Sequence, residues 1–200
     1  MAKKERIDVM VDLETLGTGL DAVVFQIAAS GFDIESGETL SEFNEVADIS
    51  SLEKEDGAID GGTLKWWLNT DMELFAELID RGDVFTVRGV FEEFYKWLSK
   101  LHTEYEHVYL WGNGILFDNA IIRHKLENYG IGYPIFFRND RDVRTIFELA
   151  QIKTGETAKE MYDRIYDKEL VAHDAMNDVK NQVTLVSECY RILVGRGNNG

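Results

Sequence analysis

The chain has a single cysteine, Cys189, in 200 residues, so no internal disulfide can brace it. The thiol falls in an apolar-periodic stretch where a small buried hydrophobe is the expected role, and this usage fits a reducing, cytoplasmic setting. Basic residues are also scarce: 21 Lys and Arg stand against 37 Asp and Glu, a formal net charge of -16. A protein that gripped a polyanion mainly by neutralising phosphates would carry the opposite excess. A long basic track is therefore excluded, and any polyanionic substrate must be held locally or through cations. Long apolar runs are missing too. The stretch Ala22–Ala29 is interrupted by Gln26 and falls far short of the roughly 20 residues a membrane helix requires. The charged segment Met1–Arg6 lacks the apolar core of a secretory signal.

What is present describes a folded body. Hydrophobic residues at 44% and aromatics at 12% exceed what a disordered acidic chain carries, and the length suits one domain over residues 1–200. Ten acids between Asp33 and Asp60 are offset by Lys54 alone, which concentrates more than half of the net charge in one segment. The simple explanation of that segment is a solvated outer strand and loop; a surface mimicking DNA is the sharper one.

Strand patterns run over Ile7–Asp12, Ala22–Asp33 and Thr39–Val46, separated by Gly17-Thr18-Gly19 and Ser36-Gly37 turns, which predicts an antiparallel meander. Helical periodicity begins near Gly62. Val87, Val90, Phe91, Phe94, Leu98 and Leu101 then mark an amphipathic helix behind a Thr86 N-cap. His107–Trp111 reads as a strand, Gly112–Gly114 as a turn, and Phe117–Tyr129 as a helix closed by Gly130. A short strand near Ile135–Phe137 is expected before a helix over Val143–Lys153, while Thr154–Leu170 is polar and without clear pattern. Met176, Val179, Val183, Val186, Tyr190 and Leu193 mark a last long helix, followed by a frayed tail over Gly195–Gly200. The expected fold is an α/β mixed sheet, with the N-terminal meander joined to parallel strands and helices covering it.

Three groups of residues carry chemistry. In Val11-Asp12-Leu13-Glu14-Thr15, period-two alternation puts Asp12 and Glu14 on one strand face, about 6 to 7 Å apart. Two acids there repel unless protonated, solvated or bridged by cations; taken alone, an exposed strand end explains them as well. His173-Asp174-Ala175-Met176-Asn177-Asp178 opens the last helix with Asp174 placed as N-cap. In continuous helix His173 and Asp178 would point roughly 140° apart, so they converge only if His173 lies in the preceding loop. Alternatively the acids merely complement the helix dipole. Asp118 follows a strand and the turn Gly112-Asn113-Gly114, with Phe117 and Asn119 beside it, and suits an ordinary first-turn acid or a ligand.

Taken together, Asp12-x-Glu14, Asp118 and His173-x4-Asp178 resemble the DEDDh branch of the DnaQ-like 3′ to 5′ exonucleases, across nearly the whole chain. Trp111-Gly112-Asn113-Gly114, Phe117-Asp118-Asn119, Arg141-Asp142-x-Arg144-Thr145 and Leu64-x-Trp66-Trp67-Leu68 look most like the small phage-type exonuclease A and a bacterial exoribonuclease group. The resemblance implies a ribonuclease H-like fold and hydrolysis of a strand from its 3′ end with two divalent metal ions, Mg²⁺ or Mn²⁺. It implies that Asp12 bridges both metals, that Glu14 and Asp178 complete one site, and that Asp118 supports the other. His173 is then the general base, a role for which imidazole is chemically suited. Oxygen ligands favour such hard cations, and a lone cysteine excludes a thiolate cage.

A strand end needs a grip, and bases stack on aromatic faces. Phe117, Trp66 and Trp67 are candidates, with core packing the competing role for the tryptophans; adjacent helical residues diverge by about 100°, so one of the pair is expected inside and the other partly exposed. The resemblance adds the backbone of Thr15 and Leu16, beside the acids, and Asn113. Arg138, Arg141 and Arg144, with Arg123 and Lys125 earlier, form the main basic cluster, with pairing to the acidic surplus the simpler expectation and phosphate contact the other. The glycines at 17 and 19 lack the Lys-Ser/Thr of a phosphate loop. The expected partner is therefore the single-stranded 3′ end of a nucleic acid. DNA is the first choice, RNA or short oligoribonucleotides the second, and a non-catalytic acidic mimic or scaffold a distant third. No membrane partner is expected, and a homodimer is compatible with the sequence.

Overall fold

The computed structural model describes residues 3–195. A five-stranded sheet in the order β3-β2-β1-β4-β5 carries the molecule, built from β1 (Lys4–Thr15), β2 (Val24–Phe32), β3 (Thr39–Val46), β4 (Tyr105–Gly112) and β5 (Asp140–Asp142). β1 to β3 form the expected meander, and β4 and β5 add in parallel beyond β1. Among the described residues seven α-helices accompany it: α1 (Gly61–Thr70), α2 (Met72–Asp80), α3 (Val87–Glu104), α4 (Asp118–Asn128), α5 (Val143–Thr154), α6 (Ala158–Ile165) and α7 (Ala175–Val194). This is the mixed sheet expected of a ribonuclease H-like protein.

Strand β1 is central and paired on both edges, and its alternation sorts the two cores. Ile7, Val9, Val11 and Leu13 face one apolar layer with Val90, Phe91, Phe94 and Leu98 of α3 and Ile121 and Leu126 of α4. Met10 faces the other, with Phe147 of α5 and Val179, Val183 and Val186 of α7. By the same period Asp12 and Glu14 emerge on the α7 side. The Thr86 side chain caps α3 through the Gly89 amide, and Gly130 follows α4 at φ 74, both as the sequence indicates. Cys189 is a free buried thiol in the α7 layer.

Two expectations need correction. Ile135–Phe137 is not a strand: Ile135 sinks into the core, while Phe136 and Phe137 are exposed and pack on each other. The edge strand is the charged Asp140–Asp142, which pairs with only the last residues of β4. A three-residue edge needs no apolar pattern because one flank and much of its surface stay in water. The polar segment from Thr154 contains α6, which buries only Met161. Its legible signal was the reciprocal cap between Thr157 and Glu160. Apart from Gly195, the tail expected over Gly195–Gly200 lies outside the described residues. Among those described, no helix is long and apolar enough to cross a membrane.

The Asp33–Asp60 segment is largely exposed, consistent with a solvated outer strand and loop. Ile34, Phe43 and Ala47 turn into the core, and among the acids of the segment only Asp56 is buried. Its carboxylate accepts the Tyr129 hydroxyl, and its backbone carbonyl accepts from Lys125 Nζ at 2.8 Å. Lys125 is fully buried in α4 and donates as well to the Asp21 carbonyl. One ammonium thus ties the β1–β2 turn to the segment preceding α1.

Candidate active site

β1 delivers Asp12 and Glu14 to the site, opposite Ala28 and Gln26 of β2. Asp178 arrives from the first turn of α7. One carboxylate oxygen from each of the three lies within 4.8 Å of the others. Glu14 and Asp118 are buried, and Asp12 and Asp178 half-buried. Burial and the neighbouring carboxylates Asp12 and Asp178 push the Glu14 carboxyl up to about 10. Asp12 is held well above the ordinary range by burial and by Asp118 and Asp178, with the Gln182 amide pulling the other way. Asp178 is raised by burial, although the His173 amide and ring favour its anion.

Asp118 stands apart from the three-carboxylate cluster but within electrostatic reach of Asp12. It opens α4 after the turn that follows β4. Burial lifts it to about 7, while the backbone amides of its own residue, Leu13 and Asn113, together with the Arg144 guanidinium, favour its anion. A Cβ at Gly112 would sit 2.3 Å from Asn119 Oδ1 and 3.2 Å from Asp118 Cβ, so the strand end must be glycine for the helix to approach. Asn119 secures that approach by donating to the Leu110 carbonyl and to Asp140.

His173 lies outside α7, as the capping argument requires, and its backbone is left-handed at φ 67. Its amide donates to Asp178 Oδ2 at 3.0 Å, and its ring meets Trp66 edge-on at 5.0 Å between centroids. Asp174 accepts the Met176 amide as N-cap and pairs with Arg81 at 2.9 Å, locking the helix start to the end of α2. Replacing Asp174 with Ala is expected to cost about 1 to 2 kcal/mol for the cap, the half-exposed Arg81 pair adding little, and to lower turnover by freeing the His173 loop. Chemical denaturation alongside initial rates checks this.

Of the expected gripping residues, Trp66 is 43% exposed and Trp67 only 1%. The divided pair was expected, but Trp67 cannot stack a base. Enclosed by Phe25 and Phe75, it donates from Nε1 to the Thr15 carbonyl at 3.1 Å and so fixes the chain just past Glu14. Thr15 Oγ1 donates to the Gly17 carbonyl. The Leu16 side chain is buried, its amide donates to Val23 and its carbonyl accepts from Asp60, leaving a second carbonyl lone pair for any contact. Phe117 is partly buried against the core and Asn113 half-buried beside Asp118. The basic cluster divides: Arg123 pairs with Asp140 and Lys125 with Asp21, as expected, whereas among the described residues Arg138, Arg141 and Arg144 form no ion pair. Arg141 instead donates to backbone carbonyls and covers Tyr109, and Arg138 covers Phe137.

One residue was missed. Gln182 Nε2 donates to Asp12 Oδ1 at 2.9 Å, while its buried Oε1 has no partner. It follows Asp178 by four positions, so helical periodicity places it on the same face.

Over residues 7–190 the sequence matches the 3′-5′ exoribonuclease Rv2179c-like domain family. The chain belongs to this family of 3′ to 5′ exonucleases. It is similar to the exodeoxyribonuclease of Enterobacteria phage T4, 24% identical, with 94% of this chain and 91% of the phage protein covered. In three dimensions the exonuclease resembles the nuclease domain of 3′hExo, a DEDDh family member solved with rAMP, at TM-score 0.62 and 12% identity over 92% of each chain. It also resembles cell-death related nuclease 4 (CRN-4), at TM-score 0.65 and 21% identity over 94% of this chain and 64% of that one. A third likeness is to E. coli ExoI in complex with ssDNA, at TM-score 0.65 and 16% identity over 96% of this chain. The exonuclease spans 42% of that ExoI chain, and at these identities the likeness concerns the fold.

Proposed function

We propose that residues 1–200 act as one catalytic unit that hydrolyses single-stranded DNA from its 3′ end with divalent cations and releases 5′-mononucleotides, in the reducing interior of a cell. The observation that carries this reading is the meeting of Asp12, Glu14 and Asp178 within 4.8 Å, beside His173. Carboxyls pushed this far toward their neutral forms are short of positive charge, and a set of hard oxygen donors fits Mg²⁺ or Mn²⁺. Asp12, Glu14 and Asp178 would hold one ion, and Asp12 with Asp118 a second. Cations held there would supply positive charge against the phosphate and lower the pKa of water.

The chain's own residues do the rest. His173 takes a proton from the attacking water at a ring nitrogen, and Trp66 limits the ring's swing. The water oxygen bonds to phosphorus as the bond from phosphorus to the 3′ oxygen breaks; the departing 3′ oxygen takes a proton from solvent, leaving a 5′-monophosphate and a new 3′-hydroxyl, and His173 returns its proton to solvent. Gln182 fixes one oxygen of Asp12 and leaves the other free. Trp66, Phe117, Asn113 and the Thr15–Leu16 backbone border the place for the terminal nucleotide, with Trp67 holding Thr15 from behind.

The phage exodeoxyribonuclease, matched over nearly its full length, favours DNA. The exoribonuclease description of the family favours RNA as the second reading. Digesting 5′-labelled single-stranded DNA, duplex DNA and RNA in parallel with Mg²⁺, Mn²⁺ or EDTA separates them. Expected is a ladder shortening from the 3′ end of single-stranded DNA with either metal and none in EDTA. A ladder on RNA alone moves the assignment to the second reading, and digestion that persists in EDTA overturns the metal-dependent scheme.

A further inference from the structure

In a chain of net charge -16 the proposed metal ions can offset only the scissile phosphate, so a cationic side chain is needed to hold the strand beyond it. Most arginines here are already engaged: Arg6 with Asp8, Arg81 with Asp174, Arg88 with Glu92, Arg123 with Asp140, and Arg164 and Arg191 with Glu188. Arg144 differs. It is exposed on the first turn of α5 and forms neither an ion pair nor a hydrogen bond with any described residue, yet its charge is felt at Asp118.

Its position is built rather than incidental. Asp142 accepts the Thr145 amide as the N-cap of α5 and, through its other oxygen, the Ile115 amide at 3.1 Å. One carboxylate therefore seats the start of α5 on the turn that leads into Asp118. Beneath the guanidinium lies Gly114, at φ 118, where a Cβ would come within 3.1 Å of Arg144 Cζ and Nη2. The glycine leaves room for the planar group to lie against the backbone, its donor edges unspent.

We infer that Arg144 is a substrate-binding residue whose guanidinium holds a backbone phosphate of the nucleic-acid strand beside Asp118. The inference rests on the exonuclease reading and names the local grip that the overall charge demands. Guanidinium forks match phosphate oxygens in pairs, which a lysine cannot reproduce in geometry but can in charge.

The test is steady-state hydrolysis of a single-stranded oligonucleotide at salt concentrations from about 50 to about 200 mM, comparing wild type, Arg144→Ala and Arg144→Lys. For Arg144→Ala, KM is expected to rise about tenfold to a hundredfold, the range for a lost hydrogen bond to a charged group, with kcat changing less. The slope of log KM against log salt should fall by about 0.7, the signature of one phosphate contact on a single strand. Arg144→Lys should restore the slope and only part of the KM. A purely structural role would leave the slope alone and shift the thermal midpoint instead. Unchanged KM and slope in Arg144→Ala overturn the inference while the exonuclease reading stands; a wild type that shortens no strand overturns that reading.

Discussion

Asp12→Asn is expected to abolish metal-dependent hydrolysis, by about 10³-fold or more, while making the metal-free protein more stable above neutral pH. The activity loss follows from removing the carboxylate placed between the proposed cation sites; about 4 kcal/mol of lost charge stabilisation corresponds to that factor. The stability gain follows from the sign of the carboxyl shifts. Asp12 and Glu14 have folded-state pKa values raised above their unfolded ones, Glu14 to about 10. Their protonated forms suit the fold at low pH, and stability is lost as pH climbs from the ordinary carboxylate range toward those raised values. The metal-free wild type should therefore lose stability steadily between about pH 5 and pH 9, and Asp12→Asn should flatten that fall. Cation at a hundredfold excess over its Kd should return about 2.7 kcal/mol to the wild type, roughly 5–10 °C in Tm. Differential scanning calorimetry with Mn²⁺ and with EDTA at several pH values measures both effects. Equal thermal gain in wild type and Asp12→Asn would mean that the cation binds elsewhere.

The second large effect concerns His173. Replacing it with Gly should lower kcat by about 10²- to 10⁴-fold, the usual contribution of a positioned general base, and at the same time raise stability. A left-handed backbone costs a residue with a side chain of order 1 kcal/mol, a cost glycine avoids. Against this runs the lost edge contact with Trp66, so the net gain is expected to be small but positive. His173→Asn, whose side chain also tolerates this backbone, should show the same loss of kcat with little change in stability. Rapid-quench kinetics with Kd for Mn²⁺ measured separately distinguishes a base from a ligand. Weakened metal binding with an intact chemical step would refute the assignment.

These residues were legible in the sequence as a set. Singly, the Asp12–Glu14 pair also suits an exposed strand end and the His173–Asp178 pair a simple helix cap; their order along the chain, with Asp118 between them, is what resembles one exonuclease family and made them stand out. Gln182 shares the helical period of Asp178 but was missed, because an amide on a helix face suggests nothing until a carboxylate is found opposite. Trp67 looked like a stacking surface because sequence cannot say which of two adjacent indoles faces inward; Phe25 and Phe75 decide that in three dimensions. The unpaired state of Arg144 was equally hidden, since an acidic chain offers many partners in composition and none at that spot. Segments such as β5 and α6 were obscured by lying at the edge, where little apolar surface is buried to leave a pattern.

The buried Lys125 has a mechanical consequence. Its ammonium clamps carbonyls from two separate segments, and beside it Gly57, at φ 112, leaves only 2.0 Å between a would-be Cβ and the Asp21 carbonyl oxygen. Neither segment can open alone without stranding an ammonium in the interior, which is far costlier than a frayed surface turn. The two loops bordering the strand end just past Glu14 therefore move as one stiff lip. The entropy of ordering that lip is settled when the chain folds, so under the proposed function the 3′ terminus would meet a mouth already shaped for it.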